Sequence, residues 1–584
     1  MVIEIAPPKF IEVEGRKIAI GGPKPDLREG EKLIRHTSSV CPECYRLLPA
    51  VIFERDGKVY IRKVCPEHGE YEELYWGDAE LFKRALKFEA PGRGLENPHV
   101  KLTAPCPFSC GICNAHLDAT ALANLVVTNR CDLSCWYCFF YAEKAGYVYE
   151  PTLEQIEKMI DSLINERPAH GNAVQITGGE PTLRDDLIEI VKLLKRKGIT
   201  HVQLNTHGIT FMRKPGLLRK LREAGVNTIY MSFDGVTPET NPKNHWEIPY
   251  ILEEARRAGM TSIVLVPTVI KGINDHEVGD IIRFAALNID VIRGVNFQPV
   301  SLTGQMPRKE REKYRITIPD VIKRIEEQTN GEIYREAWYP VPFTTAITEF
   351  IEALTGRPRL YMGNHPACGA ATYVFPEFEG AGSERRVKRF VPITDFVDVD
   401  GFYKFLKEKA AELRKGKRKY FVLMSVIKNL GKYIYKDKQP EGVNFKALIT
   451  KIFLRRGDYS ALGEFHYKSL FLGMMHFMDL YNYDVQRVMR CNIHYLSPDG
   501  RIIPFCTYNV MPDLYRDKII KEYSKSFEEF EFIYGKGKVG EEVKYKRNIV
   551  ELENTELYVK TYKPFFHRFR RLPKIVREQE VLVS

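Results

Sequence analysis

Residues 131–138 read CDLSCWYC and hold three cysteines, Cys131, Cys135 and Cys138, in the spacing C-x3-C-x2-C. Thiolate is the usual protein ligand of iron–sulfur clusters, and four ligands close a 4Fe–4S cluster. Three cysteines leave one iron open, and an open position on a metal centre usually marks a site of chemistry. The run therefore predicts a reactive 4Fe–4S cluster, with half of a zinc site as the alternative.

A second run, residues 175–181, reads QITGGEP, a hydrophobic strand that ends in Gly178, Gly179 and Glu180. The glycines let backbone approach a ligand closely, and Glu180 places a carboxylate where the ammonium of an amino acid can be held. In this order, the two runs resemble the radical SAM enzymes. That resemblance implies that the open iron binds S-adenosylmethionine (SAM), that a 5′-deoxyadenosyl radical is released, and that the three cysteines are the catalytic cluster ligands.

Composition describes a globular protein of more than one domain, with 584 residues, 44% hydrophobic and 28% charged. The sequence shows neither a long uncharged apolar run nor a secretory leader at residues 1–5, so we expect a cytoplasmic protein. Twelve cysteines then argue for metal rather than disulfides. The net charge of +11 fits either a solvated lysine-rich surface or an anionic partner.

Cys41 and Cys44 form one C-x2-C knuckle, and Cys65 and His68 form a second knuckle further along the chain. Such pairs predict a mononuclear metal site. Between them, residues 51–60 read as a hairpin with an Asp-Gly turn. We expect a rubredoxin-like or zinc-ribbon knuckle that holds iron or zinc, with a structural role favoured.

Two further groups of cysteines are candidates for auxiliary 4Fe–4S clusters. Residues 106–113 repeat the C-x3-C-x2-C spacing, and a structural zinc site is the alternative. The other group is scattered, and its last member follows an Asp-Gly hairpin that resembles the C-terminal auxiliary-cluster domains of many radical SAM enzymes. It departs from them in having fewer cysteines and a long gap, so three unrelated buried cysteines are the alternative. The two groups are Cys106, Cys110 and Cys113, and Cys368, Cys491 and Cys506.

Short β-rich runs alternate with amphipathic stretches between the cysteine groups, which predicts a parallel sheet with helical crossovers. The fold class is therefore α/β, with a partial (β/α)6 TIM-type barrel flanked by N-terminal and C-terminal metal regions. The predicted strands are 123–128, 173–177, 201–205, 228–233, 262–268 and 294–299. The predicted regions are 1–95 with the metal knuckle, 96–120 with an auxiliary cluster, 121–305 with the barrel, 306–510 with the second auxiliary cluster, and a basic tail at 511–584.

Active sites of such barrels lie at the carboxyl ends of the strands, where polar residues cluster in this sequence. By resemblance to the superfamily, Gly178, Gly179 and Glu180 would hold the methionyl ammonium of SAM. Tyr137 would pack near the adenine, while Asn205 and Ser232 would touch the ribose or the carboxylate. His207 reads equally as a ligand contact and as a hydrogen-bonded loop histidine.

Residues 106–113, 124–131, 135–142 and 296–301 look like the archaeal tetraether lipid synthase family, and the similarity runs over residues 35–510. It implies hydrogen abstraction from the terminal methyl groups of archaeal diether phospholipid chains and carbon–carbon coupling to macrocyclic or tetraether lipids. It also implies an electron donor such as a ferredoxin or flavodoxin, and no nucleic acid. The alternatives are a radical SAM methylase acting on a pterin and a peptide-modifying maturase.

Two stretches mix cations with apolar residues, 411–437 and 563–575. Such segments can lie on an anionic bilayer, where each cation contributes about 1 kcal/mol. We therefore expect peripheral attachment to the inner face of the membrane, with solvated helices that cover the core as the alternative.

Overall fold

The computed structural model describes residues 9–140, 145–454, 463–539 and 544–577. The expectation that residues 1–5 are no secretory leader, and the part of the family resemblance at residues 141–142, lie outside the described residues. Six strands form an N-terminal sheet in the order β1-β2-β4-β5-β6, and β3 also pairs with β4. Its elements are β1 Lys9–Val13, β2 Arg16–Ile20, β3 Lys32–Val40, β4 Leu47–Arg55, β5 Lys58–Cys65, β6 Gly69–Trp76 and helix α1 Ala79–Leu86.

The predicted hairpin at residues 51–60 is confirmed. Strands β4 and β5 pair antiparallel up to Arg55 and Lys58. The two turn residues between them, Asp56 and Gly57, have positive φ angles of 51° and 70°, as a two-residue hairpin turn of this kind requires.

The middle of the chain alternates strands and helices, as predicted. Six of its strands are neighbours in the order β14-β12-β11-β10-β9-β7 and run parallel. The elements are β7 Leu122–Thr128, β8 Tyr147–Val148, α2 Leu153–Ile164, β9 Ala173–Gly178, α3 Leu187–Arg196, β10 His201–Thr206, α4 Ile209–Arg213, α5 Leu217–Ala224, β11 Thr228–Ser232, α6 Ile248–Ala258, β12 Ile263–Val266, β13 Thr268–Val269, α7 Val278–Leu287 and β14 Ile292–Pro299.

Local sequence explains these elements. Helix α2 begins with a capping box in which Thr152 and Gln155 satisfy each other's backbone amides. Its buried residues recur at helical spacing and face the sheet. Strand β7 is buried along nearly all of its length, which is typical of parallel strands covered on both faces.

The remaining elements extend the same sheet at both edges. Strand β18 lies parallel beside β14, and β19 lies parallel beside β7. The elements are α8 Arg311–Tyr314, α9 Ile318–Gln328, β15 Tyr339–Pro340, α10 Thr345–Thr355, β16 Gly369–Glu379, β17 Arg386–Pro392, α11 Ile393–Phe396, α12 Val399–Arg414, α13 Lys419–Asn429, α14 Phe445–Leu454, α15 Gly463–Lys468, β18 Leu470–Met475, α16 Val485–Met489, β19 Ile493–Leu496, β20 Ile502–Pro504, α17 Phe505–Val510, α18 Arg516–Glu522, β21 Lys525–Ser526, α19 Phe527–Tyr534, α20 Ile549–Glu553 and α21 Glu556–Tyr562.

The result is a mixed sheet of 13 strands, because β15, β16, β17 and β20 join its edges antiparallel. The α/β class is therefore found, while the partial-barrel shape and the five predicted regions stay predictions. Residues 476–492 connect β18, which lies beside β14, to β19, which lies beside β7 at the other end of the six parallel strands. This connection, called the 476–492 segment below, carries Cys491.

The two stretches expected at a membrane differ in the exposure of their aromatic side chains. Tyr420 and Phe421 on α13 are exposed, whereas Phe565 is buried against Phe284 of α7. No helix in the described part of the chain combines the length and the apolar character needed to cross a bilayer. Peripheral membrane attachment stays a prediction.

Candidate active site

A cavity of about 210 Å³ lies where the parallel strands end. The loop after β7 carries the three cysteines of the first run into its wall, and the loops after β9, β10 and β11 supply polar side chains. The predicted site residues that line it are Cys131, Cys135, Tyr137, Cys138, Gly179, Glu180, Asn205 and Ser232. The structure thus brings to one place residues that the sequence spreads over a hundred positions.

Gly178 and Gly179 bring two backbone segments into close contact, and their predicted role in holding SAM stays a prediction. A Cβ atom on Gly178 would lie 2.1 Å from the carbonyl oxygen of Thr128, and one on Gly179 would lie 2.1 Å from that of Arg130. The amide of Glu180 also donates to the Arg130 carbonyl at 2.7 Å. Both glycines therefore bring the strand end against the loop that leads into Cys131, and any side chain there would displace that loop.

Glu180 is completely buried at the cavity wall and accepts four hydrogen bonds. Thr182 donates from its amide at 3.0 Å and from its hydroxyl at 2.6 Å. The Thr206 hydroxyl donates at 2.7 Å and the His207 amide at 3.0 Å. These donors fix the orientation of the carboxylate. Sequence reasoning missed Thr182 and Thr206, although both adjoin motifs at strand ends.

His207 is a buried, hydrogen-bonded loop residue. Its Nε2 lies 2.7 Å from Oδ1 of Asp132 and 3.1 Å from Oε2 of Glu180. Burial lowers the pKa of His207, but the Glu180 and Asp132 carboxylates outweigh burial and raise it. The imidazole therefore ties the cysteine loop to the strand end that carries Glu180.

A charged pair that the sequence analysis missed also faces the cavity. Lys243 Nζ lies 3.1 Å from Oδ2 of Asp234 and 5.0 Å from the centre of the Tyr137 ring. The Tyr137 hydroxyl donates to the same carboxylate, and the Thr268 amide donates to its other oxygen at 2.9 Å. Tyr137 is thus anchored by a buried ion pair beside the cysteines.

Amide side chains and aromatic rings also line the cavity. Gln175 Nε2 donates to Oδ1 of Asn124 at 2.9 Å, and both side chains line the cavity. The rings of Phe477 and Phe505 are stacked with centroids 3.8 Å apart, and Tyr495 packs 5.2 Å from Phe505. This surface offers flat apolar faces next to hydrogen-bonding groups.

Cys41, Cys44, Cys65 and His68 meet as predicted, with their ligand atoms all within 4.8 Å of one another. The His68 Nδ1 atom lies 3.4 Å from Cys65 Sγ and 3.6 Å from Cys41 Sγ, and the Cys44 and Cys65 sulfurs are 3.9 Å apart. Tetrahedral zinc with Zn–S bonds near 2.3 Å separates its sulfurs by about 3.8 Å. The donor set therefore fits one tetrahedral metal ion.

Cys106, Cys110 and Cys113 line one small cavity. The sulfur of Cys110 lies 3.6 Å from the hydroxyl of Thr507, the residue after Cys506. The first auxiliary group therefore lies next to the scattered one.

The scattered group also assembles. Burial raises the pKa of Cys506 to about 11, with Arg487 acting against this effect and the thiol of Cys368 adding to it. Burial raises the pKa of Cys491 as well, with Cys506 and Cys368 adding to it. The backbone amides of His476 and Met478 donate to the Cys368 carbonyl at 3.0 Å and to Cys506 Sγ at 3.4 Å. Strand β19, which follows Cys491, pairs with β20, which precedes Cys506, so the three cysteines lie on neighbouring elements. Phe505 lines the cavity and directly precedes Cys506, so the group lies just behind the cavity wall.

Comparison with known proteins matches residues 125–285 to the radical SAM superfamily and residues 33–77 to the HMPTM N-terminal zinc ribbon domain. The chain is 46% identical over 503 residues to the 7,8-dihydro-6-hydroxymethylpterin dimethyltransferase of Methanocaldococcus jannaschii, which covers 85% of this chain and 97% of that protein. The chain belongs to this dimethyltransferase family.

Two further similar proteins each match only part of the chain. The GTP 3′,8-cyclase 3 of Mycobacterium bovis is 30% identical over 177 residues, which is 28% of this chain and 44% of that protein. The solved structure of methylornithine synthase covers 37% of this chain and 64% of its own, with 16% identity and a TM-score of 0.27.

Membership of the dimethyltransferase family settles several predictions. The radical SAM assignment is confirmed, and with it SAM and a 4Fe–4S cluster as cofactors. The ribbon match at residues 33–77 is consistent with a metal held by Cys41, Cys44, Cys65 and His68.

The predicted lipid-coupling function is contradicted, because the relative that covers 85% of this chain is named as a pterin dimethyltransferase. The assignment to the tetraether synthase family and the diether lipid partner lack support for the same reason. The motifs that suggested them lie around the predicted cluster cysteines and predicted SAM contacts, and the radical SAM superfamily match covers residues 125–285. The pterin alternative is the better supported one.

Proposed function

We propose that this radical SAM enzyme methylates a reduced pterin. The observation that carries the proposal is the 46% identity to a pterin dimethyltransferase over 97% of that relative. The cavity supports it, since the predicted SAM contacts and a flat apolar surface with amides line the same space.

When bound, the cluster and SAM supply a 5′-deoxyadenosyl radical that removes a hydrogen atom from the substrate. Cys131, Cys135 and Cys138 would hold the cluster. Glu180, fixed by its four donors, would bind the methionyl ammonium of SAM, and Lys243 would offer a cation to its carboxylate. In the net reaction a pterin hydrogen would leave in 5′-deoxyadenosine, and a methyl group from a one-carbon donor would take its place. One electron from the donor protein would cleave SAM to methionine and the radical, and a second would release the remainder of the methyl donor in reduced form.

The amide and aromatic side of the cavity would select the pterin. A pterin presents ring donors and acceptors along one edge, which matches the carbonyl and amino groups of Asn124 and Gln175. Its flat ring would pack on Phe477 and Phe505, since aromatic faces add about 0.5–1.5 kcal/mol per stacked pair. A few placed polar groups among apolar walls are the usual design of a small-molecule site.

The two other cysteine groups would hold auxiliary 4Fe–4S clusters, and a ferredoxin or flavodoxin would supply electrons. The group formed by Cys368, Cys491 and Cys506 adjoins Phe505, so a cluster there would stand beside the pterin.

The test is an anaerobic reaction of the reconstituted protein with SAM, dithionite and 6-hydroxymethyl-7,8-dihydropterin, followed by mass spectrometry. We expect a pterin heavier by one or two methyl groups, together with 5′-deoxyadenosine, and neither product from Cys135→Ala. SAM labelled in its methyl group shows whether SAM is the methyl donor. Deoxyadenosine formation with an unchanged pterin, over a range of methyl donors, would overturn the proposal.

Phe477→Ala gives a substrate-side control. We expect this substitution to raise the KM for the pterin about tenfold, which corresponds to about 1.4 kcal/mol of binding free energy. The rate of SAM cleavage without substrate should be unchanged. Phe421→Ala, at an exposed position on α13, should change neither quantity.

A further inference from the structure

Arg487 is a buried cation with an unusual set of neighbours. It is 2% exposed and among the largest fully buried side chains. The buried guanidinium of Arg315, by contrast, contacts the carboxylate of Asp479, and that of Arg62 contacts Glu31. Within the described ranges, no carboxylate forms an ion pair with Arg487, although an isolated buried charge is strongly unfavourable.

The contacts of Arg487 point to sulfur. Its Nε donates to Cys368 Sγ at 3.4 Å, and its NH2 group donates to the carbonyl of His476 at 2.6 Å. The Tyr75 ring centre lies 5.8 Å from the guanidinium carbon.

The neighbouring imidazoles hold no carboxylate of the described residues that could serve as a counter-charge. Neither ring nitrogen of His476 has a hydrogen-bond partner among those residues, and Nδ1 of His365 accepts from the amide of Ala367 at 3.1 Å. The sulfur of Cys368 is therefore the potential anion that the guanidinium contacts.

We propose that Arg487 is the counter-cation of an anionic iron–sulfur cluster held by Cys368, Cys491 and Cys506, and that it raises the reduction potential of this cluster. A buried cation without a carboxylate, in contact with the sulfur of one of three cysteines on neighbouring elements, fits such a cluster. A cluster bound by thiolates is negatively charged, and its reduction adds a further negative charge. A guanidinium that contacts a ligand sulfur stabilises the reduced form more than the oxidised form, since net charge and hydrogen bonds to sulfur set cluster potentials.

Arg487 is close in sequence to one of the cysteines of this cluster. Arg487 lies on α16 (Val485–Met489), and Cys491 follows two residues after that helix. The backbone amide of Met478, from the same 476–492 segment, donates to Cys506 Sγ at 3.4 Å. The segment therefore delivers a cation, a ligand and an amide donor to one group of sulfurs.

The test uses the full-length reconstituted protein and three variants. Arg487→Met removes the charge, Arg487→Lys keeps it, and Cys368→Ala identifies which signal belongs to this cluster. Iron and sulfide are counted per chain, and the potentials are measured by redox titration followed by electron paramagnetic resonance. These measurements do not need the substrate, so a negative result for Arg487 can be distinguished from a negative result in the pterin assay.

We expect Arg487→Met to lower the equilibrium constant for one-electron reduction of this cluster at least tenfold, which is 59 mV, while Arg487→Lys stays close to the parent protein. Loss of about one cluster from Arg487→Met but not from Arg487→Lys, with the circular dichroism unchanged, also supports the proposal. A full iron count with an unchanged potential in Arg487→Met would overturn it. Equal cluster loss in both variants would also overturn it, by assigning the side chain a packing role.

Discussion

The hydroxyl of Tyr75 donates a hydrogen bond of 2.8 Å to the buried carboxylate of Asp484, and this contact joins the N-terminal sheet to the 476–492 segment. Thr37 donates to the same carboxylate at 2.6 Å, and Arg35 forms an ion pair with it. Lys63 adds a bond of 2.6 Å to the carbonyl of Leu480. The zinc ribbon thereby holds the segment that presents Arg487 and Cys491.

Removal of this anchor should loosen the segment. We expect Asp484→Ala to lower the free energy of unfolding by about 3 kcal/mol, because it leaves Arg35 without its buried partner. Denaturant titration measures the loss. Asp290→Ala, which breaks the more exposed pair with Arg256, should cost less than about 1 kcal/mol. Similar losses in the two variants would contradict the role of Asp484.

The ribbon metal can be separated from the iron–sulfur clusters. We expect Cys44→Ser to lose about one zinc ion per chain and several kcal/mol of stability, because binding of a structural metal contributes directly to folding. Metal analysis by mass spectrometry and thermal unfolding check both effects. Cys135→Ser is the matched control and should lose iron while retaining zinc. Iron instead of zinc in the parent ribbon would contradict the zinc assignment.

Glu180→Gln should raise the Kd for SAM at least tenfold, which corresponds to a loss of about 1.4 kcal/mol of binding free energy. The substitution keeps the shape of the side chain but removes the charge proposed to bind the ammonium, and its amino group would face one of the four donors. Equilibrium dialysis with SAM measures the effect, with iron counted in the same samples. Glu189→Gln, on the exposed side of α3, should bind like the parent protein. Unchanged affinity in Glu180→Gln would exclude this contact.

Asp118 should make stability depend on pH. Burial raises the pKa of Asp118 to about 8, against opposition from Arg490 and Arg93. The folded state then binds more protons than the unfolded state, so stability is full at low pH and falls as pH rises through about 8. The loss is about 1.4 kcal/mol per pH unit below that value. Unfolding titrations between pH 6 and 8 should show this slope.

In Asp118→Asn the free energy of unfolding should lack this part of its pH dependence. As the pH rises, the variant should therefore become more stable relative to the parent protein. Asp437→Asn, at an exposed position, should keep the parent slope. A parent-like slope in Asp118→Asn would assign the pH dependence to other groups.

Local patterns in the sequence predicted a large part of the fold. The six parallel strands and the hairpin at residues 51–60 follow from hydrophobic periodicity and turn residues, which act over short distances. The positions of Cys131, Glu180 and Asn205 on one cavity follow from a single rule, that the carboxyl ends of parallel strands meet. The sequence patterns did not predict β18 and β19 beside these strands, because their pairing partners lie far away in the chain.

The substrate prediction failed for a related reason. The motifs near Cys110 and Cys138 report the chemistry of clusters, whereas the side chains proposed to select a substrate, such as Phe477 and Phe505, lie outside those motifs. Their contact with the cavity arises only after β18 and α17 have packed.

The sequence by itself determined the types of most elements, the grouping of the cysteines and the radical SAM chemistry, because spacing and periodicity are properties of neighbouring residues. Only the tertiary structure decided that Lys243 and Asp234 stand beside Tyr137, and that the ribbon anchors Asp484. It also decided that Arg487 faces Cys368 from 119 residues away. Such contacts depend on how whole elements pack, and a buried charge finds its partner only when that packing is complete.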